Sequence, residues 1–182
     1  MVKILIAAAS LFYLVLPIQA QSIIGVGTRY SDSFREWIIT TDDEDIEGEM
    51  GLRWAFRDDW TEWDVRIGDL SASIEQKWHD DPNLWEIHCN GVVVNAKTTW
   101  PNEFNRWKLT DGNHQINWGT RYVNIRDDWR TDDRDDEDFR IYAYWEGDPR
   151  EWVVEDNLPP DVSDAMRIAM IFLALHFSTP RI

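Results

Sequence analysis

Cysteine is almost absent. Cys89 is the only one in 182 residues, so no intrachain disulfide can form and stability must come from packing. Cationic side chains are scarce as well: 18 Lys and Arg face 34 Asp and Glu, a formal net charge of −16. That balance excludes a phosphate-tracking nucleic-acid surface, which needs clustered cations. It also argues against docking on anionic membranes, where basic clusters supply the attraction. The four histidines, His79, His88, His114 and His176, lie far apart and show no metal-ligand spacing. Apolar runs long enough to span a bilayer are missing too. The two longest, around Ile4–Ile18 and Ala165–Phe177, fall short of the roughly 20 residues a spanning helix needs.

The first of those runs follows Lys3 and ends in Pro17-Ile18-Gln19-Ala20. A basic start, an apolar stretch and a small residue before a cut are the pattern of a secretory signal peptide. Residues 1–20 are therefore expected to be removed near Ala20, leaving an exported chain, periplasmic or secreted, with a charge near −17, since Lys3 is the only charged side chain lost. Residues 21–182 are expected to form one domain.

What the chain has in abundance is tryptophan, 12 in all, and the aromatics keep a register. Trp78 and Trp85, Trp100 and Trp107, and Trp145 and Trp152 are each seven apart, as are Tyr30 and Trp37, and Tyr122 and Trp129. Trp54 and Trp63 are nine apart, with Trp60 in the insertion. The second members, Trp37, Trp63, Trp85, Trp107, Trp129 and Trp152, step by 26, 22, 22, 22 and 23 residues. Six copies of one unit follow.

Within each unit, polarity alternates. Ile24, Val26, Thr28 and Tyr30 share a parity, as do Ala72, Ile74, Gln76 and Trp78, and Phe139, Ile141, Ala143 and Trp145. Period two with one wet face predicts antiparallel strands. Asp80-Asp81-Pro82-Asn83 and Pro101-Asn102-Glu103 turn the chain inside units, and Asn90-Gly91 and Asp111-Gly112 join them. The result is a mainly β meander of 12 antiparallel strands, six hairpins of about 22 residues, with Trp residues layered at one rim.

After Pro159-Pro160 the period changes. Asp161 to Asp164 offers a cap, and Ala165 to Phe177 is apolar on every side except at Arg167 and His176. An all-round apolar helix is buried, and a helix over 162–177 would fill the lumen that a 12-strand barrel leaves open. Closure of the meander around it would remove its edges. A transmembrane barrel fits poorly, because the strands are short, the Trp cluster lies at one rim and the chain ends in a helix.

At this point the chain resembles the Tubby-like C-terminal barrel superfamily, with its LURP-one and phospholipid-scramblase-like members. The resemblance rests on Trp85-Glu86-Ile87-His88-Cys89-Asn90-Gly91, on Trp107-Lys108-Leu109-Thr110-Asp111-Gly112 and on the Asp164–Phe177 segment. It implies a 12-strand antiparallel barrel around a hydrophobic C-terminal helix. Tubby-like domains that bind phosphoinositides use basic pockets. This chain is acidic, so no lipid-binding role is carried onto any of its residues.

Chemistry-bearing motifs are few. Asp43, Asp45 and Glu47, followed by Gly48, place oxygens at the first, third and fifth positions of a calcium loop. The twelfth position is Trp54, not Glu, and no helices flank it, so a solvated acidic turn is the simpler reading. The acidic stretch Asp132–Asp138 is read the same way. His88 is expected to point outward beside Glu86, and His176 to end the core helix. Trp60, Tyr142 and Tyr144 fall off the core column and are candidate ligand-binding aromatics, since exposed rings stack on sugars or anchor partners. The reading is an exported non-enzymatic binding or structural module, without cofactor, whose partner is a protein or a glycan. The alternative is a glycan-acting hydrolase with paired carboxylates.

Overall fold

A computed structural model describes residues 22–132 and 138–181. The proposed leader, residues 1–20, and most of the Asp132–Asp138 stretch lie outside the described residues. The chain forms 12 strands and one helix: β1 (Ile23–Tyr30), β2 (Ser33–Thr41), β3 (Glu47–Leu52), β4 (Glu62–Ile67), β5 (Leu70–Gln76), β6 (Leu84–Cys89), β7 (Val92–Thr98), β8 (Arg106–Thr110), β9 (Gln115–Tyr122), β10 (Ile125–Thr131), β11 (Phe139–Trp145), β12 (Asp148–Asp156) and α1 (Asp164–Ser178). Each strand pairs antiparallel with the next, and β1 closes on β12 through Gly25–Val153, Val26–Trp152 and Gly27–Glu151. Every ladder edge is thereby paired.

Inward positions are mostly apolar, with buried Thr41, Thr98, Thr120 and Thr131 as polar members. Ile74, Ile87, Val94, Leu109 and Ile141 are fully buried, and α1 runs through the lumen against β6, β7, β8 and β10. Ile168, Ile171, Phe172 and Leu175 are buried as the periodicity requires. Each such side chain taken from water contributes roughly 1.5–3 kcal/mol. The helix begins at Asp164 rather than at 162, because the Ser163 hydroxyl accepts from the Met166 backbone N–H at 3.3 Å and caps it. Asn90 and Gly91, both at positive φ, turn β6 into β7, the backbone that the Asn-Gly pair favours.

Two parity assignments fail. Ile24 is exposed and Ile23 buried, because the register of β1 against β2 slips between Ile23 and Gly25, and a bulge reverses the alternation. The first aromatic of most pairs is not in the core either: Tyr30, Trp78, Trp100, Tyr122 and Trp145 are exposed. They sit at or beyond the end of the strand ladder, above the level at which α1 or a facing wall could cover them.

Candidate functional site

The six turns inside the units, from β1–β2 to β11–β12, lie at one end of the barrel. The links between units lie at the other. At the first end each aromatic pair divides its labour. The second member, Trp37, Trp63, Trp85, Trp107, Trp129 or Trp152, is buried. Its indole N–H needs an acceptor there. In all six cases it donates to the carbonyl three residues earlier, at 2.8–3.1 Å. Each turn is thus tied down by its own tryptophan. In five of the six pairs the first member stands free above it, Trp78 62% exposed, Trp100 65% and Trp145 60%; Trp54 is half-buried and donates to Glu62.

This aromatic rim carries balancing cations. The Arg57 guanidinium lies over the Trp54 ring at 5.1 Å, and that of Arg121 over Tyr122 at 5.2 Å. Beneath the rim, α1 ends in a stack of rings. Phe177 lies on Phe104 at 4.9 Å and 9° between planes, and His176 packs on Trp85 at 4.9 Å. Burial holds the His176 pKa down at about 3, so the ring is neutral. Arg181 Nη2 lies 3.3 Å from its Nε2. A guanidinium only donates, so Nε2 accepts and the ring proton is on Nδ1.

The turns that carry Tyr122 and Trp145 enclose a depression of about 300 Å³ beside the end of α1. Asn124, Arg126, Asp127, Asp148, Trp152 and Ser178 line it. Arg126 donates to the Phe177 carbonyl at 2.9 Å rather than to a neighbouring acid, which fixes the floor. Next to it Tyr144 meets Trp145 edge-on at 4.9 Å, with both rings exposed.

Of the three candidate aromatics, Tyr144 alone is a free platform. Trp60 is buried, 8% exposed, against the expectation. The insertion folds back through a short 3-10 turn, Ala55–Arg57, so that the Trp60 carbonyl meets Trp63 and its indole N–H meets Asp58 at 2.9 Å. Tyr142 points outward but is half-buried. Its hydroxyl donates to Glu155 at 3.1 Å and Arg140 lies 4.2 Å over its ring. The rim aromatics Trp78, Trp100 and Trp145 were missed as candidates because their parity assigned them inward.

The opposite end is acidic. Asp43 does not converge with Asp45 and Glu47 on a common point. Its carboxylate accepts the Asp45 backbone N–H at 3.0 Å, an ordinary acidic turn. Arg167, on the first turn of α1, is bound by Asp156 at 2.6 Å and by the carbonyls of Val162, Leu158 and Pro159. Ser163 donates to Asp111 at 3.0 Å, and His114 lies 3.6 Å from the same carboxylate. Burial pushes the Asp111 pKa up, but the backbone N–H groups of His114 and Asn113 and the Ser163 hydroxyl outweigh it and hold the group below the usual range. This is not a nucleophile's arrangement: the carboxylate, not the imidazole, touches the serine, whose oxygen is already a helix cap. Cys89 is buried, and burial raises its thiol to about 11, so it is inert at neutral pH.

On the outer wall, the register brings together what the sequence keeps apart. Glu75 on β5 lies directly opposite Glu86 on β6, and His88 projects from the same face two residues beyond Glu86. Among the described residues no helix is long and apolar enough to cross a membrane. No family model, no curated protein and no solved structure matches this chain.

Proposed function

We propose that the chain is an exported, non-enzymatic binding module of the cell envelope or extracellular space, and that its aromatic rim holds a neutral glycan. The observation that carries this reading is the set of exposed rings on alternate turns, with a depression of about 300 Å³ between two of them that combines apolar Ile125, Pro149 and Trp152 with polar Asn124, Asp127 and Asp148. Rings on every second strand stand about 10 Å apart, twice the strand spacing. They are separate platforms rather than one continuous apolar patch, which suits stacking of successive sugar rings better than a protein hot spot with a dry centre. Asn124, Asp127 and Asp148 offer acceptors and donors for hydroxyl groups. The resemblance to the Tubby-like superfamily extends to barrel architecture alone and lends the reading no ligand. A phosphoinositide is a poor fit for a chain at −16.

The hydrolase reading needs two carboxylates facing across a cleft. Here the lumen is filled by α1, and Glu75 and Glu86, though adjacent, face outward from a convex wall, with Lys77 bound to Glu86. Native affinity electrophoresis through gels cast with soluble neutral polysaccharides tests the proposal. The mature chain should be retarded, Trp78→Ala, Trp100→Ala and Trp145→Ala combined should abolish retardation, and Asp43→Asn with Asp45→Asn should leave it unchanged. Retardation by none of the polysaccharides, or retardation indifferent to the three rings, sinks the proposal. Release of reducing ends would favour the hydrolase.

A further inference from the structure

The outer wall of β4–β7 carries an unusual row. Glu62 pairs with Glu75, Glu75 with Glu86, and Glu86 with Asn95, all on the solvent face. Like charges directly opposite across a ladder repel, so three glutamates in register require cations among them. Glu62 has Arg53 at 2.6 Å, and Glu86 has Lys77. Glu75 has no such fixed partner. Its neighbour is His88, whose Nε2 lies 3.5 Å from Glu75 Oε1, is shielded from water and makes no hydrogen bond.

We infer that Glu75, Glu86 and His88 form a site for a divalent transition cation of the Zn²⁺ class. Three observations converge. One ligand atom from each residue lies within 4.8 Å of the others, and all three side chains belong to half-buried residues. Glu86 and His88 are two apart on one strand, so their side chains leave the same face, while Glu75 comes from the facing strand. The imidazole nitrogen, shielded and without a hydrogen bond, lies 3.5 Å from the Glu75 carboxylate and is left available as a ligand atom. One nitrogen and two carboxylate oxygens suit Zn²⁺ and its first-row neighbours. Ca²⁺ and Mg²⁺, which prefer all-oxygen shells, are disfavoured. His88 also borders a wall depression of about 320 Å³, together with Asp64, Arg66, Ser71 and Ser73. A bound cation would displace Lys77 from Glu86 and supply the positive charge that the row lacks. The site is independent of the glycan-binding rim.

Isothermal titration of the metal-free mature chain with Zn²⁺, and Co²⁺ absorption as a geometric probe, tests this. One equivalent should bind, with a four-coordinate Co²⁺ spectrum. His88→Ala and Glu75→Gln should each weaken binding about tenfold or more, the scale on which even outer-shell changes act. Lys77→Met should strengthen it, and Asp43→Asn with Asp45→Asn should do nothing. All three residues face solvent, so folding of the variants is checked by their unchanged melting curves. Absence of binding at millimolar Zn²⁺ overturns the inference. So does binding equal in His88→Ala and the unmutated chain, which would mark general attraction to an acidic surface.

Discussion

The two ends of this barrel are built on the same 12 strands and closed by the same helix, yet they are held by opposite chemistry. At the aromatic end, rings pack beneath turns and indole N–H groups tie each turn to its own strand. At the acidic end, charge does the work: Arg167 gathers Asp156 and three carbonyls over the start of α1, and Asp111 takes the Ser163 hydroxyl and the His114 backbone N–H. The difference shows how a meander can specialise. Strand alternation is committed to the core, so only the turns are free to differ, and the two sets of turns have been given different surfaces. One set presents separated rings. The other presents carboxylates with few cations, a surface that repels polyanions and remains hydrated.

The comparison can be broken most severely in the middle, where both ends depend on one residue. Phe172→Asp puts an unpaired charge among Trp63 and Trp85, a change costing several kcal/mol. Both ends should unfold together, and far-UV circular dichroism should show no cooperative melt at any temperature. Next in size is acid. The His176 pKa is about 3 in the folded chain, against 6.5 for a free side chain. The unfolded state therefore binds the extra proton first. This contribution is complete above pH 6.5 and is lost as pH falls toward 3, by up to about 1.4 kcal/mol per pH unit. His176→Phe should move the acid-unfolding midpoint to lower pH, which a fluorescence titration would read. A midpoint that stays put would place the acid weakness at the other end.

Arg167→Ala attacks the acidic end alone. It leaves the Asp156 carboxylate buried without its partner, a loss of about 3 kcal/mol, and hydrogen exchange should accelerate at Val162–Ile168 before it does near Phe177. The smallest effect sharpens the comparison within a single turn. Trp107→Phe forfeits the bond to the Phe104 carbonyl and should cost about 1–2 kcal/mol. Trp100→Ala, on the same hairpin but exposed, should change the unfolding free energy from denaturant titration by less than about 0.5 kcal/mol.

Much of this architecture was readable from alternation. Period two from Ala72 to Trp78 and from Val94 to Trp100 sufficed for strands, and the unbroken apolar stretch after Ala165 for a core helix, because burial on one face imposes those periods directly. What escaped notice has local causes. The bulge near Gly25 changes parity, and the glycine inside the strand is its sequence signal. Trp78, Trp100 and Trp145 keep the inward parity but sit where the ladder has ended, so period alone misassigns them. Trp60 lies in an insertion, whose path is set by contacts, here with Trp63, and not by the strand period. The Glu75–Glu86–His88 group needed cross-strand register. The observed hairpin is centred between Asp80 and Asp81, which sets Glu75 opposite Glu86; centring it on the whole of Asp80-Asp81-Pro82-Asn83 sets Glu75 opposite His88 instead, so the turn residues alone do not decide the register.

The core helix comes after all the strands that surround it, and the barrel's seam joins β1 to β12, with Gly25 opposite Val153. Contacts this distant along the chain are slow to form. A chain that emerges N-terminus first, as in synthesis, presents every strand, apolar face uncovered, before the segment that covers those faces. Until then the nascent chain has ladders to build but nothing to build them around. A premature stop that spares all 12 strands and removes only residues 162–182 should therefore yield not a shortened protein but an aggregation-prone one, left to chaperones and proteases.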